Sequence, residues 1–203
     1  MILTCESIRL EDYLLETTEV DFNHPSIIEK ANELYTKASN EDEYVRVAFE
    51  FVRDEIAHSW DIQSTRVSRI ASEVLFFEEG ICYAKSNLLC ALLRAKGIPA
   101  GFCYQRLTLG NTPDTGYCIH ALNAVFLQSV GKWIRLDARG NKPGVDAQFS
   151  IDDEILVFNV REGYGEYEYP IIYREPHAKT MDALKRNTNC SYMCHHDLPT
   201  SLE

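Results

Sequence analysis

A chain of 203 residues is long enough to bury one core of its own, and nothing in its length forces a second domain. A formal net charge of −11 and a pI near 5.0 argue against nucleic acid or an anionic membrane as partner, since both demand a basic surface. Hydrophobic residues at 45% and charged residues at 25% are ordinary for a soluble globular protein, and no apolar run is long enough to suggest a membrane span. Seven irregularly spaced cysteines, an odd count, do not read as a disulfide framework and point to reduced thiols in a cytoplasmic setting.

Residues 1–22 lack the basic and apolar regions of a signal peptide. They are acidic, with Leu10, Tyr13, Leu14 and Leu15 clustered, and are expected to dock as a lead-in segment. Asn23-His24-Pro25 opens a helix, a capping side chain followed by proline near the first turn, with Ile27, Ala31, Leu34 and Tyr35 at helical spacing. Asn40 opens a second, with Glu43 three residues on as in a capping box; its stripe of Tyr44, Val45, Ala48, Phe49, Val52 and Ile56 fades near His58. A polar loop over 59–69 carries Trp60, and a short helix over 71–77 leads to Gly80.

The stretch from Gly80 to Ala100, GICYAKSNLLCALLRAKGIPA, predicts a helix apolar all round, and such a helix belongs in the middle of a core. Gly97 with Pro99 just beyond it is the stop signal. Cys82 falls at the first turn, where free backbone N–H groups and the helix dipole favour a thiolate, and this marks it as a nucleophile. Aromatic and branched residues then predict strands over 102–109, 118–128 and 132–138, with a further possible strand over 155–160 and a Tyr-rich segment to Tyr173. Residues 186–203 are polar and read as a loose tail. Helices first and strands afterwards give an α+β fold, a single domain over 1–203 with its core over 52–141.

A thiol nucleophile needs a base, and the base a group to orient it. The first histidine after Cys82 is His120, amid Ile119, Ala121 and Leu122, where a satisfied core histidine is as good a reading as a catalytic one. Asp137, between Leu136 and Ala138 in the following strand, is costly there unless paired. It either faces His120 across the hairpin or caps the Arg139–Gly144 turn, and spacing leaves the two even. Arg135, two residues earlier, is a competing partner for the carboxylate.

The pattern Gly80-Ile81-Cys82, then Leu92-Leu93-Arg94-Ala95-Lys96-Gly97-Ile98-Pro99-Ala100, then His120-Ala121 to Val125, then Trp133 to Asp137-Ala138, resembles the transglutaminase-like superfamily. The resemblance is strongest over 52–141 and closest to small bacterial members. It implies a papain-like core, a central helix packed on an antiparallel sheet, with Cys82, His120 and Asp137 as catalytic triad. It implies acyl transfer at peptide or carboxamide bonds through a thioester, without cofactor or metal, on a peptide or protein substrate. Hydrolysis is favoured over cross-linking, because the sequence carries no calcium loop of the D-x-D-x-D-G type and no length for the β-sandwich domains of animal transglutaminases. Glu78-Glu79-Gly80-Ile81-Cys82 also stands where arylamine acetyltransferases show R-G-G-x-C.

The Cys82 backbone N–H is the natural first oxyanion donor, and the indole of Trp60 is a candidate second, with a tryptophan that merely packs its loop the preferred reading. The alternative to an enzyme is a binding module that keeps the fold. In the tail, Cys190, Cys194, His195 and His196 are ligand types close together, although an ordinary exposed segment is favoured over a zinc site. His24 and His58 read as helix-end residues and His177 as a loop residue.

Overall fold

Every residue of helix α4, Cys82–Arg94, is buried in the computed structural model, which describes residues 2–203. Three helices pack around it: α1 (Pro25–Tyr35), α2 (Glu41–Glu55) and α3 (Ala71–Phe77). On its other side lies an antiparallel sheet of β4 (Ala100–Thr108), β5 (Tyr117–Leu127) and β6 (Lys132–Leu136), extended at the far edge by the two-residue β7 (Tyr167–Glu168) in the order β6-β5-β4-β7. This is the α+β arrangement expected, a central helix on an antiparallel sheet.

The helix ends follow local chemistry. Asn40 caps α2 by accepting the Glu43 N–H at 2.9 Å, while the Glu43 carboxylate takes the Ser39 N–H at 2.9 Å, one residue further back than a regular capping box. At the other end of α4, Gly97 adopts φ +72°, where a side chain would be strained, and the Ile98 N–H turns back to the Leu93 carbonyl at 3.1 Å. Arg94, buried, then gathers the carbonyls of Leu15, Ala100 and Arg174, which ties the helix exit to the first residue of β4 and to two distant segments.

Four two-residue strands complete the frame, and the sequence marked none of them as a strand. These are β1 (Thr4–Cys5), paired parallel with β8 (Ile171–Ile172), and β2 (Ala57–His58), paired parallel with β3 (Glu79–Gly80). The lead-in segment docks through Tyr13, whose hydroxyl donates to the Ile172 carbonyl at 3.0 Å. Pairs this short show no periodicity, so only the fold reveals them.

Two expectations fail. The strand expected over 155–160 is absent apart from a bridge of Gln148 to Ile155. Its backbone is claimed by side chains instead: the Val157 N–H donates to Asp137 and the Phe158 carbonyl accepts from Gln105. The tail over 186–203 is not loose. It continues from α5 (Ala178–Arg186) into α6 (Cys190–His196), with Cys190, Met193 and Leu202 buried, and the Ile119 N–H bonds the Pro199 carbonyl at 3.0 Å. Few apolar residues suffice here because they are spaced to meet an existing surface. Among the described residues, no helix is long and apolar enough to cross a membrane.

Candidate active site

Cys82 is the first residue of α4, and Ile81 before it offers no side-chain cap. The first-turn N–H groups are therefore left free beside the thiol, with the positive end of the helix dipole behind them. Gly80 makes this approach possible: a Cβ there would come within 2.9 Å of the Ala84 Cβ, one turn into the helix. Two buried hydrogen bonds fix the helix against β5. The Tyr83 hydroxyl donates to the Ile119 carbonyl at 2.7 Å, and Asn123 donates to the Ser86 carbonyl at 3.1 Å. The residue after the cysteine is thus bonded to the residue before His120.

Past the hairpin, Asp137 follows the end of β6 and is almost fully buried. His120 Nε2 and Asp137 Oδ2 lie 2.7 Å apart. The carboxylate also accepts the Arg139 N–H on Oδ1 at 3.2 Å and the Val157 N–H on Oδ2 at 3.3 Å. Both sequence readings of Asp137 therefore hold at once, one oxygen capping the turn and the other holding the imidazole. Arg135 does not compete: it pairs with Glu154 at 2.6 Å and Glu168 at 3.1 Å.

The imidazole is boxed in. Phe158 meets it edge-on with centroids 5.1 Å apart, and with Nε2 committed to Asp137 only Nδ1 remains for Cys82. Burial alone would strip its proton, but the Asp137 carboxylate and the Cys82 sulfur outweigh burial and push His120 up to about 10. The ring is therefore charged at neutral pH, an arrangement that stabilises negative charge on the sulfur beside it.

Around this centre, Arg139 grips Asp61 in a two-pronged ion pair of 2.6 and 2.9 Å, and Lys142 adds a third contact at 3.0 Å. Lys85, one turn after Cys82, is buried with its ammonium on the Arg53 and Ile56 carbonyls, and burial pulls it down to about 7.

Cys82 and His120 open on a cleft of about 490 Å³. Its walls also carry Leu107, Phe158, Arg161 and Glu166, and the last two are paired at 2.6 Å. Trp60 lines the same cleft, with its ring against His195 of α6 at 4.8 Å, so the packed-loop reading is supported and its indole makes no hydrogen bond among the described residues. Cys194 and Leu198, from the segment expected to be loose, close one side.

In α6 the Cys190 and Cys194 sulfurs lie 3.9 Å apart, but the His195 ring faces Trp60. Among the described residues no group of three or more His, Cys, Asp or Glu gathers as a metal set. Sequence reasoning missed Phe158 and the Val157 N–H, which lie in a segment read as a strand, and His58, which lines the cleft.

No curated protein matches the chain in sequence. Among solved structures, it is similar to a "putative cysteine protease" from Cytophaga hutchinsonii at TM-score 0.54 and 20% identity, covering 66% of this chain and 43% of that one. It also matches the periplasmic domain of TgpA from Pseudomonas aeruginosa at TM-score 0.47 and 17% identity, covering 65% of this chain and 48% of that one. The chain thus spans less than half the length of either structure. The family described as the transglutaminase-like superfamily matches residues 28–138, which is more than half of the chain and holds Cys82, His120 and Asp137. By that match, and with the fold to accompany it, the chain belongs to the transglutaminase-like superfamily.

Proposed function

We propose that the protein is a cysteine enzyme that cleaves amide bonds of peptides or proteins through a thioester on Cys82. The observation that carries this reading is the 2.7 Å contact of His120 Nε2 with the buried Asp137 carboxylate, in the cleft onto which Cys82 opens. The Cys82 thiolate attacks the carbonyl carbon and the carbon–oxygen double bond opens to an oxyanion. Imidazolium Nδ1 of His120 gives its proton to the leaving nitrogen, the carbon–nitrogen bond breaks, and the amine departs. The neutral imidazole then takes a proton from water, whose oxygen displaces the sulfur to release the acid. Asp137 keeps the ring in the working tautomer throughout.

Hydrolysis is favoured over transfer to an amine by the charges of the cleft. Arg139, Lys142 and Arg161 line it, and its one carboxylate, Glu166, is held by Arg161 and Thr108. No carboxylate is free there to recruit a lysine, whereas water needs no recruiting. A panel of amidated peptides, offered with and without a primary amine, tests both parts. The expected products are free acids in either condition, absent with Cys82→Ala. Turnover that survives Cys82→Ala removes the nucleophile, and a new amide as main product reverses the preference for water.

A further inference from the structure

The oxyanion of a thioester-forming site needs two donors, and the Cys82 backbone N–H supplies one. Resting on the function proposed above, we propose that His58 is a catalytic residue whose Nε2–H is the second donor.

The backbone puts it there. Strands β2 and β3 pair in parallel with His58 opposite Gly80, two residues before Cys82, and the ladder is closed by Ala57 N–H to the Glu78 carbonyl at 2.8 Å and Ser59 N–H to the Gly80 carbonyl at 3.2 Å. The strand that leads into the nucleophile therefore fixes where the imidazole starts. The side chain lines the same cleft as Cys82 and His120.

The ring itself is unexplained by packing. Its Nδ1 is enclosed and bonded to nothing, and no hydrogen bond from either nitrogen is made among the described residues. Buried polar atoms without partners are few in a native fold and ask for a reason. An enclosed N–H without acceptor is rarer and costlier than an enclosed lone pair, so the single proton of the neutral ring sits on Nε2. Nε2, equally without a partner, is not enclosed as Nδ1 is, and His58 is one of the residues that line the cleft.

The ring stays neutral for a physical reason. Burial and the nearby Arg139 guanidinium hold His58 well below the usual histidine range. A neutral imidazole is a donor that does not titrate in the working range and does not rival His120 as base; neutral histidine serves as an electrophile in this way elsewhere. Nor does a carboxylate orient His58 as a base, because Asp61 is taken by Arg139 and Lys142. Trp60, the other candidate, has its ring against α6.

Two probes of Cys82 separate a donor from a structural residue. p-Nitrophenyl acetate acylates a thiol through a tetrahedral oxyanion, whereas iodoacetamide alkylates it without one. With His58→Phe, burst acylation is expected to fall about 100-fold while alkylation holds within about twofold; His58→Gln, which keeps an N–H near the same place, recovers most of the loss. Melting curves of both variants confirm folding. If acylation and alkylation fall together, if neither falls, or if Trp60→Phe shows the selective loss and His58→Phe does not, the assignment is overturned. Cys82→Ala keeps the two proposals apart: when it abolishes the burst and His58→Phe leaves the burst intact, only the donor falls.

Discussion

Asp137 shows how much one buried carboxylate settles. Its two oxygens serve different masters, the Arg139 N–H that starts the turn and the His120 imidazole that faces Cys82. Replacing it with asparagine keeps the size and the turn but removes the charge that outweighs burial at His120. His120 should then drop from about 10 toward or below the ordinary histidine value, and Nδ1 loses the proton it gives to the leaving group. Peptide turnover in Asp137→Asn is expected to fall about 100-fold or more, with its alkaline limit shifted to lower pH. A variant that keeps its alkaline limit would mean that Asp137 is a turn residue and nothing more. The sequence left these roles even because spacing shows that two strands are adjacent but not how a carboxylate is rotated between them. It offered Cys82 as a nucleophile from its place at a helix start and marked His120 and Asp137 as awkward in their strands, and only the family resemblance joined the three as a triad. It missed Phe158 and His58 because an aromatic and a helix-end histidine are ordinary residues until something is placed beside them.

At the level of elements, those with strong local signals were legible and the rest were not. Helix α3 falls on the residues its pattern marked, and β4, β5 and β6 each fall within two residues of expectation, since caps, glycine stops and branched runs are local signals. The tail carries little of this beyond Asn189, which caps α6 by accepting the Tyr192 N–H at 2.9 Å, yet α6 buries Cys190 and Met193, and the tail supplies Cys194 and Leu198 to the cleft wall. It is held by Cys190 N–H to the Thr65 carbonyl at 2.8 Å and by Arg106 to the Thr200 carbonyl at 3.0 Å. Removing residues 190–203 exposes the apolar surface under Met193, Cys190 and Leu202, worth several kcal/mol at about 2 kcal/mol per side chain, and should lower the melting temperature by on the order of 10 °C. The same cut takes away one side of the cleft, so Cys82 in the shortened chain should alkylate faster. An unchanged melting curve would mean that the docked tail contributes nothing to the fold. Tyr83 makes the complementary case. Tyr83→Phe leaves the Ile119 carbonyl without its partner, at a cost of about 1–3 kcal/mol, and loosens Cys82 relative to His120. Alkylation of Cys82 should slow while the fold persists, and a variant that keeps the wild-type rate would show that α4 is positioned by apolar packing alone.

For the molecule as a whole, the charge is lopsided: −11 overall, with Arg139, Lys142 and Arg161 collected at the cleft. Two groups close to Cys82 are also shifted in opposite senses, His120 up to about 10 and Lys85 down to about 7. An unfolded chain releases its histidine proton near 6.5, so between there and about 10 His120 holds in the fold a proton that the same residue has lost in the unfolded chain. The stability that His120 contributes is therefore complete below 6.5 and is lost as pH rises through 10. Lys85 runs the other way, because the folded chain gives up its proton near 7 while the unfolded chain keeps it to 10.5. Its penalty is complete below 7 and is relieved as pH climbs to 10.5. Over pH 7 to 10 the two slopes oppose each other in the wild type, and deleting one uncovers the other. His120→Ala leaves Lys85 unopposed, so its urea midpoint should rise relative to wild type as pH increases from about 7 to about 10. Midpoints measured at intervals across that range decide the matter, since a difference that stays constant or moves the other way would mean that His120 does not carry its proton in the fold.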